Sequence, residues 1–227
     1  MEGYIREVFT SMQGEGIHCG KRMTFVRFLG CNLSCNYCDT PETQVMEGAF
    51  VSNGKVMQNP TSIDTVLVRV DAGIVTLTGG EPLLQTEFAQ HLCERLKSLG
   101  KTVYLDTNGT LPGALRAIID HVDIVSLDFK VPTATGRPSF WKEHEACLEL
   151  SSPKDVFVKM VINGDLLPRE LETACSIIKQ VDRSIPLVLQ PIFGNDTVDL
   201  LNIQKQALVH IDDVRIIPQV HKYLHLK

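Results

Sequence analysis

The chain has 227 residues, 44% of them apolar and 22% charged, which suits one sizeable domain spanning 1–227 with a substantial core. A net charge of -5 argues against a broad electrostatic grip on nucleic acid, although a local basic pocket is compatible with it. No apolar run approaches the roughly 18 residues a membrane span needs, and the N-terminus has no apolar h-region, so the chain reads as cytoplasmic, without membrane contact or signal peptide.

The first distinctive stretch is Ser11–Gly16, a glycine-punctuated loop ahead of a strand over Arg22–Leu29. Arg27 lies inside that strand and needs a partner, because a lone buried charge is expensive. Either a structural ion pair or a ligand carboxylate held in bidentate fashion meets the need. Gly30 ends the strand, and Cys31, Cys35 and Cys38 follow at spacing C-x3-C-x2-C. Residues 42–60 are poorly patterned and read as loop or a short hairpin. Ile63–Val70 reads as helix.

A regular alternation then begins. Ile74–Thr78 is a short buried strand running into Gly79, Gly80, Glu81 and Pro82. Thr86 is placed to cap a helix with Phe88, Leu92, Leu96 and Leu99 on one face and Gly100 as its stop. Strands are expected over Thr102–Leu105, Val122–Leu127, Val156–Ile162, Ile185–Ile192 and Val214–Ile217. Helices are expected over Leu111–Ile119, Ser139–Leu150, Arg169–Val181 and Thr197–Val209. This is an α/β pattern of parallel strands joined by crossovers. A closed eight-unit barrel typically takes about 250 residues, so an incomplete (partial) parallel β/α barrel of about six strands fits better. The unusual residues cluster just after the strands, at the end where such folds bind ligands.

Seven cysteines, an odd number with three in one short loop, are not a disulfide framework and suggest a reducing compartment. Cys93 and Cys175 sit in apolar helical patterns and read as core. Three clustered thiols could hold zinc if a distant residue, such as Cys19, supplied a fourth ligand. They could equally hold a cubic iron–sulfur cluster on three corners and leave one iron open.

C-x3-C-x2-C followed by Thr78-Gly79-Gly80-Glu81-Pro82 resembles the radical S-adenosylmethionine (SAM) enzymes. That resemblance implies a [4Fe–4S] cluster on Cys31, Cys35 and Cys38, with SAM on the open iron. Phe9–Gly16, Arg27, Cys38-Asp39-Thr40 and Pro218–Lys222 make the whole chain resemble the 7-carboxy-7-deazaguanine synthase family. The resemblance implies a lyase that contracts the ring of 6-carboxy-5,6,7,8-tetrahydropterin with loss of ammonia, on the way to 7-deazapurine bases of tRNA (queuosine or archaeosine). It also implies a homodimer, and an electron donor such as flavodoxin or ferredoxin.

Carried onto this sequence, the resemblance implies these site residues. Met12, Gln13, Gly14, Glu15, Arg27, Thr78 and His221 meet the pterin, and Arg27, Thr78 and Glu15 lie closest to the chemistry. Tyr37, Cys38, Asp39, Gly79, Gly80, Glu81, Ser126, Asp128, Phe129 and Lys130 serve SAM. Thr40 offers its hydroxyl to Mg2+, a hard ion that takes oxygen ligands. Related chains carry Ser-Pro-Lys where Asp128-Phe129-Lys130 stands, and some end soon after the His-Lys pair, where here Tyr223–Lys227 continues. The rival readings are a small activase that installs a glycyl radical on a partner protein, and a zinc-bearing binding module.

Overall fold

The computed structural model describes residues 1–52, 54–194 and 198–227. The chain enters through Glu2–Gly3 (β1) and Ile5–Met12 (β2), and β2 lies antiparallel to Arg22–Phe28 (β3). Ser11 and Met12, expected in a loop, are the end of β2. A register shift between Ile5 and Glu7 explains why the strand escapes a period-2 reading. It leaves the buried Ile5 and Val8 three residues apart, which erases the alternation. Phe50–Ser52 (β4) and Lys55–Met57 (β5) form the short hairpin expected in 42–60. Thr61–Ser62 (β6) pairs with β1, and the next helix is only Ile63–Leu67 (α1).

The remaining strands are Ile74–Gly79 (β7), Thr102–Thr107 (β8), Ile124–Asp128 (β9), Asp155–Ile162 (β10), Leu187–Pro191 (β11) and Val214–Ile216 (β12). Helices Thr86–Ser98 (α2), Pro112–Ile118 (α3), Pro132–Thr135 (α4), Trp141–Ser151 (α5), Pro168–Asp182 (α6) and Leu200–Ala207 (α7) come between them, and Val220–Tyr223 (α8) follows. Thr197, the expected start of the penultimate helix, lies outside the described residues. The sheet order is β12-β11-β10-β9-β8-β7-β3-β2-β4-β5. From β3 through β7 to β12 neighbouring strands are parallel and in chain order. The last of them has three residues, and among the described residues its outer edge pairs with no other strand, so the sheet is open there. This is an α/β fold on an open, mostly parallel sheet, the incomplete barrel expected. Among the described residues no helix is long and apolar enough to cross a membrane.

Thr86 does not cap α2. It is already helical, and its hydroxyl donates to the Leu83 carbonyl. A 3-10 turn over Pro82–Gln85 runs straight into the helix, so the cap position falls to Gln85. The Gln85 amide instead stitches Tyr4 to Leu29, accepting from Tyr4 N and donating to both carbonyls. Phe88, Leu92 and Leu96 bury one face of α2, while Leu99 follows the last turn and is exposed. Gly100 takes a φ of 69°, the left-handed stop that glycine adopts without strain.

Alternation along each strand divides the sheet into two faces. Val26, Leu77, Val103, Val125, Val158 and Leu187 face the helices and form the main core. On the other face Met23, Phe25, Tyr104, Ile124, Phe157 and Val188 make a second, smaller apolar cluster. One step toward the carboxyl ends, that same face turns polar, with Arg27, Thr78, Asp106, Asp128, Lys159 and Gln190. The apolar cluster is thus a floor, and the polar row above it is the base of a cavity.

Leu77 is fully buried in a central strand. Leu77→Ala is expected to cost about 3 kcal/mol and lower the melting midpoint by roughly 6–12 °C, read by thermal denaturation.

Candidate active site

The cavity measures about 580 Å³ and opens at the carboxyl ends of the parallel strands. Cys31, Cys35 and Cys38 all line it. Their loop is wired from several sides. Cys31 N donates to Gln44 O at 3.1 Å and Asn36 N to Thr135 O at 3.0 Å. The Asn32 side chain donates to Thr110 and accepts from Asn108. Arg137 Nε donates to Ser34 O at 2.8 Å. Burial raises the Cys31 thiol to about 11 and also raises Cys35, while the Leu33 amide points at the Cys31 sulfur from 3.4 Å. Among the described residues no three His, Cys, Asp or Glu side chains converge tightly enough to hold one metal ion. Three thiols that each bind a different iron of a cubic cluster need no such convergence, so the donor set fits a cluster on three corners. Cys19 is not among the cavity residues, and Cys93, Cys147 and Cys175 are buried.

The Gly-Gly-Glu-Pro turn is locked to the stem of this loop. Gly80 N donates to Phe28 O at 3.1 Å and Glu81 N to Gly30 O at 2.7 Å. A Cβ on Gly80 would stand 2.1 Å from the Gly30 carbonyl oxygen, and one on Gly79 2.4 Å from the Phe28 nitrogen. The glycines are therefore required by backbone packing as well as by any ligand.

Three residues expected to touch the cofactor do not bring their side chains to the cavity. Glu81 is fully buried and accepts from Leu83 N, Thr107 Oγ1 and Asn108 N at 2.8–3.0 Å. It ties the turn to the end of β8, and burial lifts its carboxyl to about 7 despite those donors. Phe129 belongs to the main core and stacks on His144 with ring centroids 4.6 Å apart. Ser126 is buried in the floor. Strand alternation accounts for Phe129, which follows the inward Asp128.

Asp128 and Lys130 do reach the cavity. Lys130 Nζ donates to Asp128 at 2.7 Å and to the Tyr37 hydroxyl at 3.0 Å, beside the cysteine loop. Asp128 Oδ2 also faces Lys159 Nζ at 3.5 Å. Lys159 pairs more tightly with Glu15, at 2.7 Å, and sees Asp106 at 3.8 Å. Burial alone would drive this ammonium toward neutrality, but Asp106, Glu15 and Asp128 outweigh it and hold its pKa well above the ordinary lysine value. Asp106 in turn accepts from the Thr78 hydroxyl at 3.0 Å.

The opposite wall joins residues far apart in sequence. Gln13 folds back, its side-chain oxygen accepting from Glu15 N. Glu15 also accepts from Gln219 at 2.8 Å, and Gln219 donates to Asp39 at 3.0 Å. Lys222 pairs with Asp39 at 2.9 Å. Val220 N donates to Gly14 O, and His221 packs where a Cβ on Gly14 would stand. Arg27 Nε is held by Glu7 at 3.0 Å, yet Arg27, Met12 and Thr40 also line the cavity. Both readings of Arg27 therefore survive in one side chain.

Lys159, Asp106 and Gln219 carry no expected role in the sequence, whereas Gln190 stands in a turn after a strand, expected at the cavity mouth, and does line it. The signal for Lys159 was present, since a lysine inside the strand Val156–Ile162 has the same need for a partner as Arg27. Gln219 carries no such mark, because its role exists only once α8 docks.

Residues 25–172 match the radical SAM superfamily. A 7-carboxy-7-deazaguanine synthase of Geobacter sulfurreducens is 36% identical over 97% of this chain and 96% of its own length. The chain belongs to the 7-carboxy-7-deazaguanine synthase family. The enzyme of that name from Archaeoglobus fulgidus is 35% identical over the full length of both chains. The crystal structure of QueE from Escherichia coli superposes with a TM-score of 0.66 over 97% of this chain and 95% of that one, at 22% identity, and so supports the fold. As a member of this radical SAM family the chain is a lyase that works with a [4Fe–4S] cluster and SAM, and the activase and zinc-module readings are not favoured.

Burial raises the Glu15 carboxyl, but Lys159, Gln219 and nearby His221 outweigh it and bring it from 4.5 to about 2. The unfolded chain binds more protons in that window, so the stability Glu15 contributes is present above pH 4.5 and is lost as pH falls toward 2. Glu15→Gln is expected to flatten the fall of urea midpoints between about pH 5 and 3.

Proposed function

We propose that the chain converts 6-carboxy-5,6,7,8-tetrahydropterin to 7-carboxy-7-deazaguanine with loss of ammonia. The observation that carries this reading is the cavity itself. Cysteine loop, Gly-Gly turn, Arg27, Thr78, Glu15 and His221 all belong to one cavity or its wall, although they are spread over the whole sequence. Its volume falls within the range of small-ligand sites.

Bound on Cys31, Cys35 and Cys38, the cluster with SAM supplies reductive carbon–sulfur cleavage and, through it, hydrogen abstraction from carbon. The chain's own residues bind and orient. Gly79, Gly80, Tyr37, Asp39, Asp128 and Lys130 form the cofactor side, and Lys130 keeps Asp128 and the Tyr37 hydroxyl together. Among the described residues Asp128 Oδ1 and Gln190 Oε1 are buried acceptors without a donor, and both residues line the cavity. These acceptors fit hydroxyl groups of SAM and an N–H edge of the pterin, since a buried acceptor is costly until it is paired. Met12, Gln13, Gly14 and Glu15 close the substrate side, with Thr78 and His221 facing them. Pre-set groups of this kind hold a reacting carbon near the cofactor and keep water out.

Thr40 follows the last cysteine of the loop by two residues and lines the same cavity. Its carbonyl is taken by Thr43, and its hydroxyl remains 3.5 Å from the Thr43 hydroxyl. One hydroxyl fits a Mg2+ ion whose other ligands are substrate and water. An external one-electron donor, a homodimeric assembly and a cytoplasmic location complete the reading.

Anaerobic incubation of the reconstituted chain with reductant, SAM, Mg2+ and carboxytetrahydropterin should yield the deazaguanine acid by mass spectrometry. Deoxyadenosine without that product would sink the substrate assignment and spare the superfamily. Cys35→Ala should lose the cluster iron, about four per chain in the parent, along with all turnover. Thr40→Ala should keep the iron and lose most of the response of rate to Mg2+ titration.

A further inference from the structure

His144 does not line the cavity, yet it is fully buried. It projects from α5 into the seam between the ends of β8 and β9. Its ring stacks on Phe129 with centroids 4.6 Å apart and meets Phe140 and Trp141 edge-on at 6.3 and 5.9 Å. A Cβ on Gly109 would stand 3.1 Å from its Cδ2, so the turn after β8 closes directly on the ring. Burial lowers the imidazole to about 4, against the opposing pulls of Asn108 and Asp128, so the ring is neutral near pH 7.

A polar ring in an aromatic box calls for a reason, because phenylalanine would fill the same space without desolvating two nitrogens. Nε2 supplies it. This atom stands 3.2 Å from Asn108 O and 3.3 Å from Lys130 N. Among the described residues neither of those backbone groups has another partner. With a proton Nε2 donates to the Asn108 carbonyl, and without one it accepts from the Lys130 amide. Each end of this bridge holds part of the site. Asn108 N donates to Glu81 at 2.8 Å and Asn108 Nδ2 to Asn32 at 2.9 Å, so one residue carries both the glycine turn and the cysteine loop. Lys130 Nζ holds Asp128 and the Tyr37 hydroxyl.

We propose that His144 is a positioning residue for SAM, its Nε2 bridging the Asn108 carbonyl and the Lys130 amide so that Asp128, Lys130 and Tyr37 stand fixed against the cysteine loop. The proposal rests on the reading that Asp128 and Lys130 form the cofactor side. Without the bridge the segment after β9 keeps its tie to the sheet, because Phe129 N donates to Lys159 O at 2.8 Å. Only the setting of Lys130 is released. The deficit therefore falls on cofactor affinity, and cluster assembly on the three cysteines is spared.

The test uses two substitutions. His144→Phe keeps the ring shape and removes both nitrogens. His144→Gln brings an amide whose N–H donates and whose oxygen accepts, so it serves both ends of the bridge. In the cluster-loaded chain, equilibrium binding of SAM should weaken about tenfold in His144→Phe and stay within about twofold of the parent in His144→Gln. Both should retain about four irons per chain. In the cluster-free chain, amide hydrogen exchange over residues 128–131 should quicken about tenfold in His144→Phe and match the parent in His144→Gln. In turnover, the KM for SAM should rise in His144→Phe while kcat stays near that of the parent. His144→Leu, which also lacks both hydrogen bonds, replaces His144→Phe if that chain does not fold. Parent-like SAM affinity in the apolar variant, equal weakening in the apolar and Gln variants, or loss of iron in the apolar variant would each overturn the proposal. Lys130→Met in the same binding assay separates the bridge from the reading beneath it. No weakening there would refute the cofactor role of Lys130. Weakening there, with none in His144→Phe, would refute the bridge and leave that role standing.

Discussion

The buried ammonium of Lys159 is the interaction on which the inner face depends. It sits on β10 with a side chain only 6% exposed, and it answers carboxylates from the 13–21 loop, β8 and β9. Removing it would leave Glu15, Asp106 and Asp128 in a shared low-dielectric space with too few cations, and an uncompensated buried charge costs several kcal/mol. Through Glu15 the network continues to Gln219, Asp39 and Lys222, and through Asp128 to Lys130 and Tyr37. One cation therefore ties the loop before β3, the segment after β12 and the cysteine loop into one wall. Its gain is positional, since a charge-paired network fixes where its groups stand.

Much of this was legible in the residues, for identifiable reasons. The parallel strands could be read because their apolar runs are short and punctuated by turns, and the cysteine loop because its spacing is itself the chemistry. β2 could not, because a bulge breaks its alternation and Arg6 and Glu7 put charge next to the shift. Glu81 belongs to the Thr78–Pro82 motif, and the resemblance that motif carries implies a role at SAM. A carboxylate that accepts three protein donors at once can be recognised only when Thr107 and Asn108 are seen beside it. Phe129 stands next in sequence to an inward aspartate, and the pleat alone sends it to the other side. The segment from Gln219 to Lys227 carries no readable role because its contacts, Gly14, Asp39 and Glu7, lie about two hundred residues away in sequence, and no periodicity encodes such a return.

The cysteine loop looks like an irregular excursion that a cluster would have to order, but its stem is built as rigidly as a strand pair. Gly30 N reaches the Thr43 and Val45 carbonyls, Gly30 O accepts from Glu81 N, and Gly80 N from β7 returns to Phe28 O. The ends of β3 and β7, the start of the loop and the turn that follows β7 thus move as a unit. Side chains larger than hydrogen at Gly79 or Gly80 would part them, since the nearest atoms to a new Cβ are backbone and cannot turn aside. Precision in such a site comes from elements that cannot shift by an ångström independently. Here the groups that would hold the cluster and those that would hold SAM share one hydrogen-bonded frame. The 13–21 loop and α8 form the facing wall, joined to that frame through Lys159 and Asp39.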